Sequence, residues 1–166
     1  MISKKIAEAL NRQVAKEAFA VNSYLSMASW CEQQGLRGCA VFFYEQSEEE
    51  KGHMMKLFKY INEAGGHAIA PEIKEPSHSY KSITHVFSTA LEHERGVSAS
   101  INKLVEFCFN SKDFASFHFL QWYVEEQVEE ENLFKSILDM IKLAGGETSK
   151  NLLFIDGEIR RLKEKK

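Results

Sequence analysis

The stretch that decides the fold is residues 50–53, which read Glu50-Lys51-Gly52-His53. Residues three apart face the same way on a helix, so Glu50 and His53 can bind one ion through an oxygen and a nitrogen atom. Glu17 lies 33 residues before Glu50, with a polar break near the middle at residues 33–38. Helical periodicity on both sides of that break predicts a hairpin of two antiparallel helices.

The second half of the chain repeats this arrangement. Glu94 lies 33 residues before Gln127, and residues 110–113 form the polar break. Positions equidistant from a turn lie at the same height in antiparallel helices, which brings Glu17 beside Glu50 and Glu94 beside Gln127. Stacking the two hairpins brings all four polar groups together. Buried carboxylates are costly unless protons or cations neutralise them, so the spacing predicts a metal site.

Hydrophobic periodicity predicts four long helices and one short helix, at about residues 4–31, 39–64, 82–110, 114–143 and 151–162. The only two prolines, Pro71 and Pro76, fall between the second and third helices in a segment without helical period. The predicted fold class is all-α: a four-helix bundle with one long crossover, plus a short C-terminal fifth helix. We expect residues 1–145 to form the bundle, and residues 146–166 to form the short helix and tail of the same domain. The fifth helix is expected to pack against other chains.

Composition narrows the choice of partners. A net charge of -3 and a pI near 6.1 provide no basic surface for nucleic acid or for an anionic membrane. No signal peptide or long apolar run occurs, so a cytoplasmic protein is expected. Cys31, Cys39 and Cys108 lack C-x-x-C spacing and are interpreted as small buried apolar residues.

Carboxylates with few imidazoles and no thiolate favour iron or manganese over a structural zinc site. Two ions are expected to share Glu50. The near ion is expected to bind Glu17 and His53 as well, and the far ion to bind Glu94 and Gln127 more loosely.

The residues resemble those of the ferritin family, specifically its haem-free bacterial members, over nearly the full chain. The resemblance rests on Glu17, Tyr24, Glu49, Glu50, His53, Glu94 and the run FLQWYVEEQVEEE at residues 119–131. It implies a ferroxidase centre of Glu17, Glu50, His53, Glu94 and Gln127. It also implies a third iron held by Glu49, Glu126, Glu129 and Glu130. Tyr24 would lie beside the centre and assist electron transfer.

The same resemblance implies a hollow shell of twenty-four chains. Ferrous ions would be oxidised by dioxygen or hydrogen peroxide and stored inside the shell as hydrated ferric oxide. Haem is not expected, because haem-binding bacterioferritins have a methionine where this chain has Lys51. Those proteins also use Glu and His at the second metal position, where Gln127 and Glu130 stand here.

Three alternatives stay open. A discrete di-iron peroxidase or oxidase of the rubrerythrin type would act on a substrate without storing iron, although no C-x-x-C module follows the bundle. A structural shell subunit would lack the centre, and a DNA-protecting mini-ferritin would place its ligands between subunits. Glu48, Glu125 and Glu131 are expected to lie on solvated faces. The five histidines other than His53 are expected to be surface or satisfied residues.

Overall fold

The computed structural model describes residues 1–163, and in that range it contains five α-helices and no strand. The helices are α1 (Lys4–Gln33), α2 (Arg37–Glu63), α3 (Ile83–Asn110), α4 (Phe114–Leu143) and α5 (Leu152–Lys163). This confirms the all-α prediction. The observed helix ends lie within two residues of the predicted ones.

The turns and caps explain why the helices pair as hairpins. Only residues 34–36 join α1 to α2, and Gly35 takes a positive φ of 77° that suits glycine. Residues 111–113 join α3 to α4, and the side chain of Asp113 accepts a hydrogen bond from Ser116 N at 3.1 Å. Residues 64–82 carry no helix and form the predicted long crossover.

Two apolar clusters fill the bundle, one on each side of a polar layer. The first includes Tyr24, Phe43 and Phe134. The second includes Val14 and Leu57. Along every long helix the chain passes from one cluster to the other through a buried polar residue, and these residues are Glu17, Glu50, Glu94, Gln127 and Glu130. Burying the apolar residues stabilises the fold by roughly 1.5–3 kcal/mol per large side chain, which offsets the cost of this layer.

Helix α5 attaches to the start of α2. Leu36 precedes α2 and provides no side-chain cap, but Asp156 of α5 accepts hydrogen bonds from Gly38 N at 2.9 Å and Cys39 N at 2.8 Å. On the outer side of α5, Leu153 and Phe154 are 83% and 59% exposed. The assignment of residues 146–166 to the bundle domain stays a prediction, and residues 164–166 lie outside the described part of the chain.

The three cysteines are free and buried, which confirms their interpretation as small core residues. Burial raises the pKa of Cys31 to about 12 and that of Cys108 to about 11, so neither thiol ionises near neutral pH. Among residues 1–163, no helix combines the length and hydropathy needed to span a membrane.

Candidate metal centre

The structure brings three of the predicted ligands together in the polar layer. One ligand atom each from Glu17, Glu50 and His53 lie within 4.8 Å of one another. The three residues are only 1%, 2% and 5% exposed. Glu50 and His53 are one turn apart on α2, and His53 Nδ1 lies 3.3 Å from Glu50 Oε2. Two carboxylates and one imidazole that converge from two helices form a set suited to a divalent cation.

Glu50 carries the clearest sign of a cation site. Its Oε1 atom is fully buried and has no hydrogen-bond partner among the described residues. Buried polar atoms are nearly always paired, and an unpaired one usually marks a site for a water, an ion or catalysis. A cation shared by Glu17 and Glu50 fits the unpaired oxygen.

The electrostatics of this polar layer disfavour the charged form of its carboxyl groups. Burial raises the pKa of Glu17 well above its ordinary value, and the nearby Glu50 raises it further. Burial also raises the pKa of Glu50, with further contributions from Glu94 and Glu130. The raised pKa values favour the protonated carboxyls, and a cation that binds here would displace those protons.

Glu94 faces the same layer from α3, with both of its carboxylate oxygens engaged. Tyr24 donates a hydrogen bond to Oε1, and Gln127 Nε2 donates to Oε2 at 3.0 Å. Burial is the main cause that raises the pKa of Glu94, and these two hydrogen bonds partly oppose it. Glu94 and Gln127 lie side by side as predicted, but Glu94 is not part of the compact group of Glu17, Glu50 and His53. A second ion would have to displace one of the hydrogen bonds to Glu94.

Tyr24 is completely buried beside the centre. Its ring stacks with those of Phe43 and Phe134, with centroid distances of 5.8 Å to each. Burial, followed by the charge of Glu94, raises the pKa of Tyr24 well above its ordinary value. The hydroxyl therefore stays protonated and acts as a donor toward Glu94.

His53 also belongs to a second cluster of possible metal ligands. Single ligand atoms of Glu49, His53 and Glu126 lie within 4.8 Å of one another, and His53 Nε2 is 3.9 Å from Glu126 Oε1. Glu129 is exposed and outside this group. Glu130 is also outside it: the residue is buried, and it accepts a hydrogen bond from Gln46 Nε2 at 2.7 Å. Of the four residues expected at a third iron, the structure thus gathers Glu49 and Glu126.

Aromatic residues of α4 surround the His53 ring. Trp122 meets it edge-on with a centroid distance of 5.3 Å. Tyr123 donates a hydrogen bond to the backbone oxygen of His53 at 2.8 Å. Lys56 Nζ lies 3.2 Å from the centroid of the Trp122 ring and closes the outer side of this packing. These contacts hold the imidazole between the two carboxylate groups.

Sequence reasoning missed the glutamines that orient the carboxylates. Gln13 Nε2 donates to Glu17 Oε1 at 2.7 Å, and Ser100 in turn donates to Gln13 Oε1 at 2.7 Å. Gln13 and Gln46 each precede a site carboxylate by four residues on the inward stripe of a helix. That spacing is a signal that could have identified both residues, because residues four apart meet on one helix face.

Glu131 differs from its prediction. It was expected on a solvated face, but it accepts a hydrogen bond from Ser98 Oγ at 2.5 Å, and its side chain is 35% exposed. The helix register explains the difference, because Glu131 lies four residues after Gln127 on the side of α4 that faces α3.

His93 is half-buried, with its ring 5.9 Å from that of Phe19, and burial lowers its pKa.

The fold and the centre together define a ferritin-like carboxylate bundle. A family model described as the ferritin-like domain matches residues 7–144. The chain therefore belongs to the ferritin family, as the resemblance of its sequence predicted.

Relatives cover almost the whole chain. A probable bacterial non-heme ferritin-like protein of Haemophilus influenzae is 46% identical over 99% of both chains. A bacterial non-heme ferritin of Campylobacter jejuni is 44% identical over 98% of this chain and 96% of its own. Among solved structures, the open pore ferritin of the archaeon Archaeoglobus fulgidus matches with a TM-score of 0.93 and 41% identity, covering 96% of this chain and 98% of its own.

Proposed function

We propose that this protein stores and detoxifies iron as a ferroxidase. It oxidises Fe(II) to Fe(III) with dioxygen or hydrogen peroxide at a di-iron centre inside each subunit. The ferric product is deposited as hydrated ferric oxide in a hollow shell. Membership of the ferritin family supports iron storage and ferroxidase activity in general.

One observation carries the proposal: the buried Glu17, Glu50 and His53 converge around a Glu50 oxygen that has no partner. Such an oxygen beside a second carboxylate needs either a cation or a shared proton to compensate it, and a divalent cation compensates both carboxylates at once. Iron acts here as the substrate, so the centre must both bind and release it. Glutamate oxygens and one imidazole suit that task, whereas thiolates would bind a cation more permanently.

Each ligand has a distinct role in the proposed reaction. Glu17 and His53 bind the first ferrous ion, and Glu50 bridges it to the second ion. Glu94 and the Gln127 oxygen bind the second ion after Glu94 gives up a hydrogen bond. Two ferrous ions supply two electrons, which together with two protons reduce dioxygen to hydrogen peroxide, or reduce hydrogen peroxide to two water molecules. Tyr24, which is hydrogen-bonded to Glu94, would assist the transfer of these electrons from the irons to the oxidant.

Glu49 and Glu126 would receive a third iron next to His53, as their grouping supports. Glu129 and Glu130 would complete this site when iron is present. Glu130 would first have to release Gln46, because the two side chains are hydrogen-bonded. Because this hydrogen bond must break, the third site would bind iron more weakly than the first site and would pass it on.

The active form is proposed to be a cytoplasmic shell of twenty-four copies. Contact with other copies would cover the exposed Leu153 and Phe154 on α5. Apolar residues exposed side by side commonly mark protein interfaces. Haem, nucleic acid and membranes have no part in the proposed function.

An iron titration tests this function. Metal-free protein receives rising amounts of ferrous iron in air, and the soluble iron that co-elutes with each chain is measured. Uptake far beyond the few ions that one bundle can ligate supports storage. Saturation at about two or three ions per chain would instead identify a discrete di-iron peroxidase or oxidase. His53→Ala should slow the fast phase of oxidation and leave assembly intact.

A further inference from the structure

A small cavity with both polar and aliphatic lining opens between α3 and α4 next to the metal centre. Its volume is about 120 Å³, and its polar lining consists of Ser98, Asn102, Gln127 and Glu131. The rest of the lining is aliphatic. A water molecule occupies about 30 Å³ of liquid, so the cavity has room for a cation that keeps some of its waters.

Glu131 is held in position at the outer part of this cavity. Ser98 Oγ donates to Glu131 Oε1 at 2.5 Å. Arg95 approaches the other oxygen, with its Nε atom 3.9 Å from Glu131 Oε2. Arg95 is exposed and the contact is long, so the pair is weak and the charge of Glu131 stays available to a cation.

Gln127 forms the inner end of the cavity and connects it to the metal centre. The residue is 5% exposed, and its Nε2 donates to Glu94 Oε2 at 3.0 Å and to Ser98 Oγ at 3.3 Å. Gln127 therefore lines the cavity while its side chain contacts Glu94, so its amide oxygen is a candidate cation ligand between the two.

We propose that this cavity is a transit site through which divalent cations reach the metal centre. Glu131 and Ser98 bind a partly hydrated cation, and the Gln127 oxygen passes it to Glu94. The choice of Fe(II) as the cation rests on the proposed function, whereas passage of a divalent cation does not. The donors are a carboxylate, a hydroxyl and amide oxygens, which suit a hard or borderline divalent cation and repel an anion.

Electrostatics set the expected effect of removing the carboxylate. A charged group inside a cleft raises the local concentration of its counter-ion and therefore the association rate. Glu131→Gln keeps the shape and the acceptor for Ser98 but removes the charge. Ser98→Val keeps the charge and places a methyl group where the hydroxyl was. Glu125→Gln is the matched control, because it removes one exposed carboxylate from the same helix.

The test uses Co(II) without oxygen, so that it does not depend on iron oxidation. Metal-free assembled protein is mixed with Co(II) in a stopped-flow instrument, and the visible absorption of bound Co(II) reports its arrival. We expect the association rate to fall about threefold or more in Glu131→Gln and Ser98→Val, with the final absorbance unchanged. Glu125→Gln should bind as fast as the wild type, and added salt should slow the wild type more than Glu131→Gln.

Two results would overturn the transit site. Equal rates in Glu131→Gln and Glu125→Gln would show that cations arrive by another face. A lower final absorbance in Glu131→Gln would make Glu131 part of the permanent site. If the titration shows no storage of iron while the Co(II) association rates change as expected, the proposed storage function is wrong and the transit site is supported.

Discussion

Glu50 faces His53 through only one of its carboxylate oxygens: Oε2 lies 3.3 Å from His53 Nδ1, while Oε1 is buried without a partner. The α2 helix fixes this geometry, because residues three apart share a face. The ligand pair is thus formed before any cation binds. This preorganisation lowers the stability of the metal-free protein, because the Glu50 carboxylate is buried with one oxygen unpaired.

Glu50→Gln should therefore stabilise the metal-free protein while removing the fast phase of iron oxidation. The amide has the same shape but carries no charge, and burial raises the pKa of the native carboxyl. Removing a charge that burial penalises should therefore raise the free energy of unfolding at neutral pH. Denaturation of metal-free protein and stopped-flow oxidation measure the two effects.

Glu48→Gln is the matched control, since Glu48 is exposed on the same helix and, within residues 1–163, pairs with Lys51 alone at 3.5 Å. It should leave both the unfolding free energy and the oxidation rate unchanged. Size-exclusion chromatography must give the same assembly for every variant. Loss of stability in Glu50→Gln would mean that the charged carboxylate is already compensated in the metal-free protein.

The stability of the metal-free protein should fall as the pH rises. Burial raises the pKa of Glu17, Glu50 and Glu94, so each folded carboxyl keeps its proton at a pH where the unfolded chain has already lost it. The folded state binds more protons in that window, and its stability therefore decreases with pH. The midpoint of thermal unfolding should drop between about pH 5 and about pH 8 more steeply than in Glu17→Gln/Glu50→Gln.

Bound cations should reverse this trend, because they replace the protons. With Zn(II) present, the unfolding midpoint of the wild type should exceed that of the double variant, and the difference should widen toward pH 8. Parallel pH profiles for the wild type and the double variant without metal would contradict the raised pKa values.

Gln13→Ala should weaken the first metal site without removing a ligand. Gln13 donates to Glu17 at 2.7 Å and is itself held by Ser100 at 2.7 Å. Groups that orient a ligand typically contribute about 10–100-fold to metal affinity. Calorimetric titration with Zn(II) should show a loss of that size in the tighter binding step. Gln121→Ala is the control, because Gln121 donates to the Phe117 backbone at 2.9 Å, within its own helix. An equal loss in the control would exclude a specific role for Gln13.

Much of this architecture could be predicted from the sequence, because the matching 33-residue intervals encode both the hairpins and the height of the polar layer. The partners of the neighbouring glutamates on α4 could not be predicted in this way. Glu126, Glu130 and Glu131 all lie near the centre, yet Glu126 approaches His53, Glu130 accepts from Gln46 and Glu131 accepts from Ser98. Consecutive residues turn by about 100° on a helix, so the neighbouring helices decide each partner.

The attachment of α5 was also beyond prediction. It depends on Asp156 accepting the first backbone N–H groups of α2, although the two segments are 118 residues apart at Gly38. Local periodicity gives the apolar faces of both helices but contains no information about which helix ends meet. Only the packed structure shows that the fifth helix supplies the missing cap of the second.

Gly38→Ala should loosen α5 from the bundle, because a Cβ atom at Gly38 would lie 2.1 Å from the backbone oxygen of Asp156. A backbone atom cannot rotate away, so the two helices must separate, and the hydrogen bonds to Asp156 would lengthen. We expect a loss of about 1–3 kcal/mol in the free energy of unfolding and faster amide exchange at Cys39. Gly96→Ala is the control: nothing lies within 4 Å of its Cβ position, and alanine favours a helix. Unchanged exchange at Cys39 in Gly38→Ala would show that α5 is held in place chiefly by its apolar face.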